Sequence, residues 1–266
     1  MRHNGGIVSF PRCLECLHPN AQQVPLLLCL PHAGGSAQAF VNWQTRVHDI
    51  AICGLHLPGH GKRFSEPAIR NLHWIVTTLA DELGSEIHEP FAVFGHSMGA
   101  FVGVELAREL KKRHGIEPVH LVVAGVCAPH LYQCKALTYN LPDDKLIEEV
   151  RRLNGTPVEV LENADAMKVF LPLLRADLEA IQTYQYKTGE LLSCPITAYG
   201  GVLDESVSLS DMEAWSAYTR GTVKVRMFPG DHFFVDSQRQ QVLNALKEDL
   251  KEGLTDCVLR GLTSKT

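Results

Sequence analysis

An α/β fold, in which a mostly parallel central sheet carries helices on both faces and one helical insertion, is what the sequence predicts on three observations. Short apolar or β-branched runs alternate with longer segments of helical spacing, the pattern of successive βαβ units. Most of those runs are apolar at nearly every position, as strands covered on both faces must be. Between about 137 and 187 the alternation stops, and helical stretches follow one another with no strand signal between them.

In chain order, strands are predicted at 26–30, 50–57, 91–94, 121–126, 195–199 and 223–228. A helix over 72–87 is read from the stripe of Leu72, Ile75, Val76, Leu79, Leu83 and Ile87, and a second, over 101–110, follows the third strand. The insertion contains helices at 143–153 and 167–184. A segment of roughly fifty residues cannot bury enough apolar surface by itself, so it is expected to fold over the carboxyl edge of the sheet as a lid. A last helix is predicted at 238–250, and the polar tail 255–266 is expected to be poorly ordered. The 266 residues suit a single domain, 1–266, with this insertion.

Hydrophobic residues make up 45% and charged residues 21%, an ordinary globular balance. No apolar run approaches the ~20 residues of a membrane span, and the first residues lack a secretory apolar stretch, so a cytoplasmic protein with no membrane contact is expected. A net charge of −5 gives no reason to expect nucleic-acid binding. The 8 cysteines are then expected as reduced thiols, with Cys29, Cys53 and Cys194 acting as small buried hydrophobes. Cys13 and Cys16 form a CxxC pair with only His18 nearby, short of the four ligands of a zinc site. No metal and no cofactor are expected, and the chain is expected to act as a monomer.

The chemistry is concentrated in a few motifs. Gly95-His96-Ser97-Met98-Gly99 follows a predicted strand and precedes a predicted helix, the context in which a GxSxG serine is held above the sheet in a tight strand-to-helix turn. Ser97 is therefore the predicted nucleophile, and the N–H of Met98 an oxyanion donor at the helix N-terminus. In this type of fold the acid and the histidine follow the serine in that order. Asp204 closes the loop after the 195–199 strand, and His232, in Gly230-Asp231-His232-Phe233-Phe234, lies between the last strand and the last helix. Glu205 and Asp231 are alternative acids. Of the 13 histidines, His3, His18, His48, His56, His73, His88, His114, His120 and His130 have no motif context. The second oxyanion donor is expected in Pro31-His32-Ala33-Gly34-Gly35, from the N–H of Ala33 or else of Gly34, with His32 a loop-fixing residue. The Pro58-Gly59-His60-Gly61-Lys62-Arg63 stretch reads as a fold-shaping turn, and His96 as a brace of the elbow. Together these features make the predicted fold an α/β-hydrolase.

Leu30 to Ser36, Leu57 to Arg63 with Glu66-Pro67, Gly95 to Gly99, Leu174-Arg175-Ala176-Asp177, the 195–201 run with Asp204, and Gly230 to Phe234 together resemble the type II thioesterases. These are discrete editing enzymes of nonribosomal peptide and polyketide synthesis, related to the medium-chain fatty-acid thioesterases. The likeness spans about 25–250; His60 departs from the residue usual in the family. It implies a hydrolase that removes acyl or aminoacyl groups from the phosphopantetheine arm of an acyl or peptidyl carrier protein, clearing stalled or misprimed synthases without a cofactor. Lys62-Arg63, Lys111-Lys112-Arg113 and Arg151-Arg152 are basic clusters available to steer an acidic carrier. The same triad would also serve a carboxylester hydrolase or an acyltransferase, and a noncatalytic binding module could share the fold.

Overall fold

The computed structural model describes residues 10–21, 23–84, 86–87, 90–134 and 136–263, without the side chains of 252 and 255–263. His3, His88 and the last three residues of the expected tail lie outside the described residues. Seven strands form one sheet: β1 (Leu14–Cys16), β2 (Leu26–Leu30), β3 (Ala51–Leu55), β4 (Phe91–His96), β5 (His120–Ala124), β6 (Ile196–Gly201) and β7 (Val223–Phe228). Their spatial order is β1-β3-β2-β4-β5-β6-β7, parallel throughout except that β1 runs antiparallel to β3. The six predicted strands are all present; β1, three residues long, is too short to leave a periodic signal.

Alternation along the strands sorts their side chains into two cores. On one face Leu26, Leu28 and Leu30 join Val93, Leu121 and Val123 beneath α1 (Leu72–Leu83) and α2 (Met98–His114). On the other, Leu27, Cys29, Phe94 and Val122 meet Phe40 and Trp43 of the 3₁₀ segment Ala37–Arg46. The helix predicted at 72–87 stops at Leu83, where the Gly84 N–H closes on the Ala80 carbonyl. Asn71 caps its start, its side chain accepting from the Trp74 N–H.

The insertion folds as α3 (Asp143–Leu153), α4 (Val158–Leu161) and α5 (Ala164–Gln182), with a small apolar core of its own made by Leu146, Val150, Leu161, Met167, Leu171 and Leu174. Helix α5 starts three residues before the predicted position because the Asn163 side chain accepts from the N–H groups of Asp165 and Ala166. Past β6 come the short helices α6 (Leu209–Glu213) and α7 (Phe234–Ser237), then α8 (Arg239–Thr263), whose Val242, Leu243, Leu246 and Leu250 complete the second core. The backbone of the expected loose tail is therefore helical as far as Thr263, continuing α8 past the predicted end at 250.

A buried carboxylate fastens the last strand to this helix. Asp249 of α8 accepts from Lys224 and Arg226 of β7 and from the Tyr199 hydroxyl of β6. Burial works to raise its pKa, but those donors prevail and hold it below the ordinary carboxylate range.

The cysteine reading needs one correction. Cys16 and Cys53 face each other in the antiparallel β1/β3 register and are joined as a disulfide, so not all the thiols are reduced. The signal was hidden because the partners lie 37 residues apart and meet only through the unpredicted strand. Cys13, Cys29, Cys127, Cys134 and Cys194 are free. Among the described residues no group of three or more His, Cys, Asp or Glu side chains is placed to hold a metal ion, and no helix is long and apolar enough to cross a membrane.

Candidate active site

The elbow is set by backbone geometry. Ser97 sits between β4 and α2 with φ 55° and ψ −120°, one of two non-glycine residues with positive φ among the described residues. Such a conformation costs on the order of 1–3 kcal/mol and persists only where the surroundings impose it. Here the Ser97 N–H donates to the Ala124 carbonyl of β5 at 2.8 Å, pinning the turn to the neighbouring strand. Its flanking glycines are needed for contact: a Cβ on Gly95 would lie 2.5 Å from the Ala100 Cα, and one on Gly99 2.6 Å from the Pro31 carbonyl oxygen. The turn is thus wedged between its own helix and the loop after β2.

The structure brings the predicted acid and histidine together. His232 Nδ1 lies 2.8 Å from Asp204 Oδ2, although 28 residues separate them. The other carboxylate oxygen, Oδ1, accepts from the Ser206 N–H at 2.9 Å and from its hydroxyl at 2.5 Å. Burial of Asp204 works to raise its pKa, but the hydrogen bonds from His232 and Ser206 outweigh it and hold the group below the usual range. A carboxylate at Nδ1 selects the tautomer in which that nitrogen carries the proton, leaving Nε2 as the basic nitrogen. The alternative acids are placed elsewhere. Glu205 is exposed, and Asp231 Oδ1 accepts from the Phe233 N–H.

His96 and His32 are both neutral braces. Nε2–H of His96 donates to the His232 carbonyl at 2.8 Å, tying the elbow to the histidine loop, and burial holds its pKa well below the usual histidine value. The His32 ring packs edge-on against Phe233 at 5.0 Å and lies 5.4 Å from the His96 ring; burial lowers its pKa to about 4.

The two expected oxyanion donors occupy different settings. Met98 is the first residue of α2, where an N–H has no intrahelical acceptor, and its side chain is buried. In the loop after β2, the Gly34 N–H is engaged, donating to Asp177 Oδ2 at 2.7 Å. That leaves Ala33 as the loop's candidate donor. Sequence reasoning had singled out Asp177 only as part of a resemblance. Its contact spans 143 residues, and no local signal could reveal it.

The lid closes directly over this loop. Phe170 and Leu174 of α5 face Gly34, and Gly155, between α3 and α4, lies so close to the Phe233 ring that a Cβ there would overlap it. A separate cavity of about 710 Å³ lies between α1, α2 and residues 183–190, bordered by Val76, Glu105, Arg108 and Tyr184. It starts some ~10 Å along α2 from Met98, at the rise of a helix, and belongs to a different part of the molecule.

The basic clusters are partly engaged within the chain. Arg63 is 3% exposed and is consumed by Glu66 and Glu82, while Lys62 pairs with Glu15. Lys111 and Arg113 pair with Glu117 and Asp81. In the lid, Arg152 pairs with Glu149 one helical turn away but stays well exposed.

A parallel sheet with a strained serine elbow, and an acid and a histidine delivered by later loops at its carboxyl edge, define an α/β-hydrolase. Residues 25–250 match the family model of the thioesterase domain, and the chain belongs to that family. It is 42% identical over 226 residues to the gramicidin S biosynthesis protein GrsT of Aneurinibacillus migulanus, covering 85% of this chain and 88% of that one. It is 34% identical to the thioesterase PikA5 of Streptomyces venezuelae, covering 88% and 83% of the two chains. Among solved structures, the type II thioesterase BorB from the borrelidin biosynthetic cluster superposes with a TM-score of 0.84 at 32% identity, over 91% of this chain and 99% of that one. The chain is a thioester hydrolase of the type II branch.

Proposed function

We propose that this enzyme hydrolyses acyl or aminoacyl thioesters carried on the phosphopantetheine arm of an acyl or peptidyl carrier protein, releasing groups that stall or misprime a synthase, and that it works as a monomer in the cytoplasm. The observation that carries the chemistry is the 2.8 Å contact of His232 Nδ1 with Asp204 at the sheet edge where Ser97 stands in its strained turn. His232 Nε2 takes the Ser97 hydroxyl proton as Oγ attacks the thioester carbonyl carbon. The N–H groups of Ala33 and Met98 receive the oxyanion. The C–S bond then breaks, and the thiol departs with the proton from His232. Water attacks the acyl-serine with His232 again as base, and the free acid leaves as Ser97 regains its proton.

The likeness to proteins of peptide and polyketide assembly supports a carrier-borne substrate. The test compares one acyl group on a carrier protein, on coenzyme A and as an oxygen ester. A kcat/KM at least about tenfold higher on the carrier is expected; this corresponds to roughly 1.4 kcal/mol of added recognition. Equal rates on carrier and coenzyme A would overturn the carrier assignment, and faster oxygen-ester turnover would move the enzyme to the carboxylesterases.

A further inference from the structure

Beneath the lid lies a buried acid and base that the triad does not use. Asp177 of α5 and His60 of the turn after β3 are 1% and 3% exposed, and His60 Nε2 lies 3.0 Å from Asp177 Oδ2. The other ring nitrogen, Nδ1, is 3.1 Å from the Pro58 carbonyl, which can only accept. Both ring nitrogens therefore face acceptors, and the arrangement is satisfied when His60 carries two protons and Asp177 is a carboxylate. The same Oδ2 accepts from the Gly34 N–H at 2.7 Å. One oxygen thus joins three chain segments: the lid helix, the loop after β3, and the loop after β2.

We propose that Asp177 and His60 are positioning residues that set the oxyanion donor, an inference that rests on the acyl-transfer role given above to Ser97 and Ala33. Asp177 takes the Gly34 N–H and thereby fixes the Ala33–Gly34 peptide plane, while the Gly35 N–H, donating to the His32 carbonyl at 2.9 Å, holds the His32–Ala33 plane; between them the Ala33 N–H is aimed at the carbonyl oxygen over the elbow. Phe170 and Leu174, also on α5, hold the opposite side of Gly34. His60 acts one step further back, holding the carboxylate in place through the hydrogen bond of Nε2 to the same Oδ2. The oxyanion site is complete only with the root of the lid seated, whatever the tip of the lid does.

Asp177→Asn separates the two partners. With the charge gone His60 keeps one proton, on the Nδ1 that faces the Pro58 carbonyl, and presents Nε2 as an acceptor; the single position that Oδ2 fills must then hold either the amide oxygen for the Gly34 N–H or the amide N–H₂ for His60, and cannot serve both. On p-nitrophenyl esters, which need no carrier, kcat is expected to fall about 10- to 100-fold, part of the ~10²–10³ that a whole oxyanion donor supplies, with KM changed less than about twofold. Affinity for a trifluoromethyl ketone, which forms a tetrahedral oxyanion adduct on serine, should fall by the same factor as kcat/KM. His60→Gln, which retains a donor for Asp177, should keep most of the wild-type kcat, whereas His60→Leu should lose it. This pair carries the test should Asp177→Asn fail to fold. Wild-type kcat in folded Asp177→Asn, a loss expressed in KM alone, or equal rates in the two His60 variants would overturn the proposal. A wild-type enzyme inert toward carrier thioesters but active on these esters would overturn the proposed substrate and leave this inference standing.

Discussion

Around the elbow, Leu30, Ala100, Phe101 and Ala124 are wholly buried, whereas in the lid Leu153, Val158 and Val169 are 44%, 53% and 47% exposed. The ion pairs differ in the same way. Asp249 has a side chain 1% exposed and meets two cations and a hydroxyl, while the lid pair of Lys168 and Asp165 is 76% and 89% exposed and held only by one turn of helix. A buried, fully hydrogen-bonded charge resists displacement, and a solvated pair contributes little. The sheet and its elbow are therefore packed on every side and tied by buried charge, whereas the outer surface of the insertion is solvated. The proposed chemistry needs close placement and is assigned to the first; the second is where a path for substrate is to be sought.

The largest effect expected on that comparison is at the elbow. Ser97→Ala should lower kcat by about 10⁶ and abolish the acyl-enzyme seen by mass spectrometry, while Tm changes little because alanine keeps the Cβ and the same strained backbone. Retention of a near-wild-type rate would remove Ser97 from the mechanism. Asp204→Asn should cost on the order of 10⁴ in kcat, since an amide at Nδ1 favours the wrong tautomer. Glu205→Gln, at an exposed position, should leave steady-state kinetics within about twofold; the reverse ranking would move the acid by one residue.

In the lid, hydrogen exchange sharpens the contrast. The amides of α3 and α4 should exchange at least about tenfold faster than those of β4 and β5, and slow when serine carries an acyl inhibitor. Protection equal to that of the sheet in both states would mean a fixed wall. Gly155→Val, which collides with Phe233, should speed exchange in α3 and α4 further and leave β4 unchanged.

The smallest effect is on stability. Asp249→Asn should lower Tm at neutral pH by about 4–8 °C, and Asp165→Asn by less than about 1 °C. The folded pKa of Asp249 is depressed below its ordinary 3.8, so its contribution is present above that value and is lost as pH falls through the lower folded pKa. Melting curves of wild type and Asp249→Asn should accordingly converge below pH 3.8. A Tm gap that widened in acid would contradict the assigned role.

Local pattern and tertiary contact divide cleanly over this molecule. The apolar runs of β2 to β7, the stripe of α1, the GxSxG turn and the chain order of Ser97, Asp204 and His232 were legible because each depends on periodicity or on a residue type in a fixed local context. The helical insertion was legible from the absence of strands, and the start of α5 was displaced only by a cap at Asn163. What the sequence could not determine is which of several residues meet across the fold. The Cys16–Cys53 pair through a three-residue strand, the internal neutralisation of Arg63, and the bridge from Asp177 to His60 and Gly34 all depend on contacts between distant segments. Such contacts leave no period in a single chain, because a hydrogen bond formed across 143 residues constrains two positions and nothing between them. The sequence by itself determined the scaffold and the candidate reactive groups; the packing of α5 against the loop after β2 decided that the Gly34 N–H is engaged, because only the folded chain brings Asp177 to it.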